Sequence, residues 1–172
     1  MKVLPTTYRG LRFRSRTEAR WAVVFDQLGW TFDYEIETYR LPSGPYLPDF
    51  YLREHETFFE VKGQEPTATE LERAEELCLA TECIVIVSHG PPNPYRKEWD
   101  FDLSTFNPER WPDDRAFVDC HKGGFVSGRW PHHPPCSIHL GNLGHLGGLT
   151  KLGWKEAFTR AANHRFGAFP EK

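Results

Sequence analysis

The chain has 172 residues with a formal net charge of -3; 39% of them are hydrophobic, 15% aromatic and 26% charged. That is one ordinary domain, or one domain with a small appendage, and it excludes two large domains, a disordered tail and a membrane-embedded chain. The longest aliphatic run, Ile84 to Val87, is far short of the roughly 20 residues that span a bilayer, and the opening residues show no apolar leader, so a cytoplasmic protein with no membrane partner is expected.

Lys2, Arg9, Arg12, Arg14 and Arg16 precede the first acid, Glu18, so the N-terminal segment carries a local charge of +5, whereas residues 18 to 82 are acid-rich. A basic arm beside an acidic body suits a protein that approaches phosphates and holds a divalent cation; a solvated charge run is the plainer alternative. Ser15 and Glu18 have capping-box spacing, and Trp21, Val24, Phe25 and Leu28 recur at helical intervals, which predicts a helix from Arg16 to Leu28 ended by Gly29. Trp30, Phe32, Tyr34 and Ile36 alternate with polar residues and predict a half-buried strand.

The turn-forming run Leu41 to Pro45 reverses the chain. Tyr46 to Leu52 and Thr57 to Lys62 then read as an antiparallel hairpin joined by Arg53 to Glu56, with Pro48 weakening its first strand or setting it near an edge or bulge. A helix from Thr67 to Ala80 is capped by Thr67 or Thr69, and Cys83 to Ser88 is a continuous buried strand. The order α, β, β, β, α, β predicts an α/β (α+β) fold with a mixed sheet flanked by helices.

Composition changes near residue 90, dividing the chain into a core over 1 to 90 and an extension over 91 to 172. Residues 91 to 135 hold eight of the 14 prolines, residues 123 to 153 eight of the 14 glycines, and six of the eight histidines lie between His121 and His164, so this part is loop-rich. It closes in an amphipathic helix, Trp154 to Phe166.

The chemistry concentrates at Asp49 and at Glu60, Val61 and Lys62. The strand period of two puts Glu60 and Lys62 on one face and Phe59 and Val61 on the other. Asp49, on the neighbouring strand, can lie beside Glu60. Two close carboxylates repel, and a divalent cation such as Mg²⁺ relieves that repulsion with oxygen ligands. Glu18 shares a helix face with Trp21 and Phe25, so it points to the sheet as a third acid, or serves as the N3 residue of the cap. Glu60 with Lys62 also reads as a structural ion pair.

Phe13, Arg14, Ser15, Arg16, Glu18, Ala19, Arg20 and Trp21, then Tyr34 with Glu35, then Tyr46 to Phe50, then Glu60 to Gly63, form an ordered set that resembles the PD-(D/E)xK nuclease superfamily, with its restriction-endonuclease-like core. The resemblance covers roughly residues 8 to 90. It is closest to small phage and bacterial nucleases and extends to the endonuclease subunit of heteromeric transposases.

The resemblance implies a deoxyribonuclease that uses Mg²⁺ or Mn²⁺ and acts in a bacterial or phage-infected cell. Asp49, Glu60 and the Val61 carbonyl would ligate the metal, Lys62 would position the attacking water, and Glu18 would ligate the metal or orient a water on it. Arg14, Arg16 and Arg20 would contact DNA phosphates without reading sequence, and Gln64 would touch substrate or a second metal, or be a loop polar residue. The alternatives are a catalytically silent nucleic-acid-binding module, or a subunit that cuts only within a recombination, transposition or phage assembly, with a protein partner or as a homodimer.

In the extension, Cys120 with His121 and Cys136 with His139, with His132 and His133 between them, resemble a degraded zinc ribbon that would hold a structural Zn²⁺, its hairpin supplied by Phe117 to Cys120 and Phe125 to Ser127. The alternative is histidines in a Pro/Gly-rich loop. Cys78 and Cys83 read as buried small hydrophobes.

Overall fold

The structure is a computed structural model describing residues 6–95, 103–106, 118–119 and 151–167. Two short strands, β1 (Thr6–Tyr8) and β2 (Leu11–Phe13), pair as an antiparallel hairpin ahead of the first helix. Its turn uses left-handed backbone at Arg9 and Gly10, which suits the twist of a tight hairpin. This hairpin was not among the expected elements.

Helix α1 (Arg16–Gln27) starts as expected: Ser15 is extended, and its Oγ accepts from the Glu18 N–H at 3.1 Å. Only half of a capping box forms, because the Glu18 carboxylate turns to the Arg14 N–H (3.1 Å) and to the Ser15 hydroxyl (2.6 Å). Gly29 ends the helix with φ +73, a conformation that costs little without a Cβ.

The expected strand over Trp30 to Ile36 shortens to β3 (Phe32–Tyr34). Glu35 adopts a left-handed φ of 49, which turns the chain out of the ladder and leaves Ile36 half exposed. The expected turn joins β4 (Tyr39–Leu41) to β5 (Gly44–Tyr46). The strand expected over Tyr46 to Leu52 is therefore two elements. Tyr46 ends β5, and β6 (Phe50–Leu52) begins only after Pro48, which has no N–H for a ladder.

A 3-10 turn at Arg53–His55 leads into β7 (Thr57–Lys62), antiparallel to β6 as expected. Helix α2 (Ala68–Thr81) is capped by Thr67 in a full capping box with Glu70, and it crosses to β8 (Ile84–His89), parallel to β7.

β9 (Leu103–Phe106) and β10 (Val118–Asp119) extend the same sheet beyond residue 90. Among the described residues the central sheet runs β10-β9-β8-β7-β6-β3, with β7 and β8 its parallel pair. The chain is thus an α+β protein on a mixed sheet. Val118–Asp119, expected in a zinc-ribbon hairpin, pairs with β9; Phe125 to Ser127 lie outside the described residues. Helix α3 (Lys151–Asn163) starts and ends earlier than expected.

Each face of the sheet buries its own apolar cluster. On one, α1 and α3 cover Phe50, Phe59, Val61 and Ile86, with Trp21, Phe25, Ala157, Phe158 and Ala161 from the helices. On the other, α2 and the β4–β5 hairpin cover Phe58, Val85 and Val87 with Leu41, Tyr46, Ala74, Leu77 and Cys78. No described helix is long and apolar enough to cross a membrane.

Candidate active site

The two clusters fix which way β7 faces. Phe59 and Val61 pack toward α1 and α3 and Phe58 toward α2, so the period of two turns Glu60 and Lys62 to the side of α2 and Tyr46. The β6–β7 register pairs Phe50 with Phe59. One step further sets Asp49 opposite Glu60, at the place where Pro48 has stopped the incoming strand.

Both acids are buried, with residue exposures of 4% for Asp49 and 1% for Glu60. The Asp49 N–H donates to Glu60 Oε1 at 3.1 Å, and the Val61 N–H donates to Asp49 Oδ2 at 2.8 Å. Lys62 Nζ donates to Glu60 Oε2 at 3.1 Å. The remaining oxygen, Asp49 Oδ1, is ion-paired to the Arg14 guanidinium, which also meets Glu35 Oε1 through its Nε at 2.6 Å. Val61, whose carbonyl was the expected ligand, lies at the site with its N–H on Asp49.

These contacts explain the electrostatics. Burial and the Glu60 charge push Asp49 up to about 7, outweighing the Val61 N–H and Lys62, which act the other way. Burial alone would lower the Lys62 ammonium, but Glu60 and Asp49 hold it above its ordinary value. Arg14 likewise overcomes its desolvation through Asp49 and is held more firmly protonated.

Glu18 is buried at the start of α1 beside this pair. The Tyr34 hydroxyl, the Arg14 N–H and the Ser15 hydroxyl all donate to its carboxylate. Glu18 is therefore both the N3 residue of the helix and an acid near Asp49, whose pKa its charge also raises.

The expected phosphate-binding arginines divide. Arg14 turns inward onto Asp49 and Glu35, and Arg16 is exposed. Arg20 is half-buried and donates to the Ala161 (2.8 Å) and Ala162 backbone carbonyls near the end of α3, so it joins α3 to α1 instead of facing phosphates. Gln64 is exposed beyond β7.

Sequence reasoning did not single out Glu35, Tyr34 or Tyr46 as site residues. The Tyr46 hydroxyl is buried without a hydrogen-bond partner. Burial, and after it the charge of nearby Glu60, drive its pKa upward. The Lys62 ammonium is 6.0 Å from its ring centroid and the Arg73 guanidinium 5.3 Å. The sequence signal for Tyr46 was its place at the start of the Tyr46 to Phe50 motif, two residues before Pro48, which gave it no role of its own.

Among the described residues, no three His, Cys, Asp or Glu side chains are grouped as ligands of one metal ion. The oxygens of Asp49, Glu60 and Glu18 are turned to protein donors instead. The donor chemistry nevertheless fits a hard divalent cation: buried carboxylates under mutual repulsion, with an unpaired hydroxyl beside them.

Cys78 and Cys83 are free thiols; Cys78 is buried and pushed up to about 12 by desolvation, as suits a small core residue. Cys120, His121, His132, His133, Cys136 and His139 lie outside the described residues. Neither a scan against protein-family models nor a search of curated proteins found a match for the chain.

Proposed function

We infer that the chain is a divalent-metal-dependent nuclease that hydrolyses DNA phosphodiester bonds in a bacterial or phage-infected cytoplasm. The observation that carries this reading is the buried Asp49–Glu60 pair with Lys62 3.1 Å from Glu60. A core of this size gains nothing in stability from opposed buried acids. Asp49 and Glu60 would hold Mg²⁺ or Mn²⁺, with Glu18 beside them. When bound, the cation would polarise the scissile phosphate and activate a water. Lys62, fixed by Glu60, would hold positive charge where negative charge develops on the phosphate. Arg16 and the N-terminal basic arm would track the backbone.

The test is incubation of the purified chain with plasmid, linear and single-stranded DNA in Mg²⁺, Mn²⁺ or EDTA. Cleavage in the metals and none in EDTA supports the reading.

One observation favours a second reading: every carboxylate oxygen of Asp49 and Glu60 already has a protein donor. On that reading the chain binds nucleic acid without cutting it, or cuts only when a partner or second copy opens the site. DNA binding without cleavage in the same experiment would select it.

A further inference from the structure

Arg14 holds an unusual place in this site. Its backbone is pinned, because its N–H lies within hydrogen-bonding distance of Glu18 Oε2 (3.1 Å) and the Tyr34 hydroxyl oxygen (3.0 Å). Its side chain then reaches out over the buried pair. The guanidinium meets Asp49 Oδ1 with one terminal nitrogen and Glu35 Oε1 with Nε. The Arg14 side chain is 55% exposed while that of Asp49 is 5% exposed, so Arg14 is the solvent-side cover of Asp49.

Glu35 reaches this position through left-handed backbone, and its own N–H donates to the Asp49 carbonyl at 3.0 Å. Such backbone in a residue with a side chain is uncommon, and here it aims a carboxylate at Arg14. The other Asp49 oxygen faces the Val61 N–H. Oδ1 is thus the oxygen a cation arriving from solvent would take, and the guanidinium already has it.

We propose that Arg14 is a displaceable counter-cation: it neutralises Asp49 in the cation-free chain, is expelled when a divalent cation binds there, and is then free to hold a substrate phosphate. The proposal rests on the nuclease reading. A divalent cation on Oδ1 would sit close to the guanidinium and repel it, so cation uptake and Arg14 release are coupled equilibria. Linkage then makes the coupling reciprocal: a phosphate that holds the released guanidinium tightens cation binding, and the cation tightens phosphate binding.

The test is Mn²⁺ binding, followed by electron paramagnetic resonance or calorimetry in the absence of DNA. It compares wild type, Arg14→Gln, Glu35→Gln and, as a control, Asp49→Asn, each checked for its fold by circular dichroism. Arg14→Gln is expected to bind Mn²⁺ about fivefold or more tightly than wild type, the scale of an ordinary coupling. Glu35→Gln, which loosens one of the two holds on Arg14, is expected to shift affinity the same way by less. In wild type, the Arg14 Nε–H resonance should move on titration with Mg²⁺.

Unchanged or weaker Mn²⁺ binding in both folded variants, while Asp49→Asn still abolishes it, overturns the proposal and leaves the nuclease reading standing. Absence of Mn²⁺ binding in wild type and Arg14→Gln alike overturns the reading and the proposal with it.

Discussion

Asp49 and Glu60 each secure the strand that carries the other: the Asp49 backbone N–H donates to Glu60 Oε1, and the backbone N–H next to Glu60, that of Val61, donates to Asp49 Oδ2. This crossed pair keeps two repelling carboxylates in place without a bond between them. It also gives the site a pH dependence whose sign follows from the raised Asp49 pKa.

Asp49 takes up a proton near pH 7 in the fold but near its ordinary value of 3.8 when unfolded. Between those values the folded chain holds more protons, so the stability that Asp49 contributes to the cation-free protein falls as pH rises through that window. In chelator, the melting temperature of wild type relative to Asp49→Asn should therefore decline from about pH 4 to above pH 7. In the same protein, Mn²⁺ affinity should fall by roughly tenfold per pH unit below about 7, because the carboxyl must be ionised to bind. A flat difference between the two melting curves would contradict the raised pKa.

Tyr46→Phe removes a buried hydroxyl that has no partner, so the cation-free protein should be unchanged or stabilised by up to about 1 kcal/mol in urea unfolding. Tyr46→Ala, which also removes the ring packed in the α2-side cluster, should cost about 3 kcal/mol or more. A large loss in Tyr46→Phe would show that the hydroxyl is bonded in solution.

Arg16 and Arg20 should separate cleanly. Arg16→Gln is expected to weaken DNA binding on every sequence alike and to reduce the salt slope by about one. Arg20→Met should leave both unchanged while costing about 1–2 kcal/mol of stability. It should also expose residues 151 to 163 to protease, because the guanidinium joins α1 to the Ala161 and Ala162 carbonyls.

The legible parts of the fold were those whose signal is local. Thr57 to Lys62 is a short run rich in strand-favouring residues and closed by Gly63, and its strand has the expected bounds. Thr67 and Glu70 sit three residues apart and cap α2. The β1–β2 hairpin has strands of three residues and an Arg-Gly turn instead of the stronger Asn-Gly signal, too little to read as periodicity. Pro48 did warn of a defect, but only the pairing of Tyr46 with Tyr39 shows that the strand ends there.

In the site, Asp49, Glu60 and Lys62 were readable from strand spacing. The partners of the arginines were not. Arg14 reaches Asp49 across 35 positions, and Arg20 reaches Ala161 across 141, distances over which side-chain spacing carries no information.

The cysteines and histidines of the extension give an independent prediction. A structural zinc site there should hold about one zinc per chain through Cys120, Cys136, His139 and one of His121, His132 or His133, thiolate and imidazole being softer ligands than the core acids. Elemental analysis of untagged protein and of Cys136→Ser checks it: zinc in the first and none in the second is expected. Zinc absent from both would assign these residues to an ordinary loop.

The most direct test of the whole account is the initial rate of plasmid nicking in Mg²⁺ by Asp49→Ala, beside wild type and with folding verified by circular dichroism. A site built to hold a cation predicts a loss of about a hundredfold or more in a chain that remains folded, although the Val61 N–H and Arg14 lose their Asp49 partner. Nicking at the wild-type rate by the folded variant would contradict it.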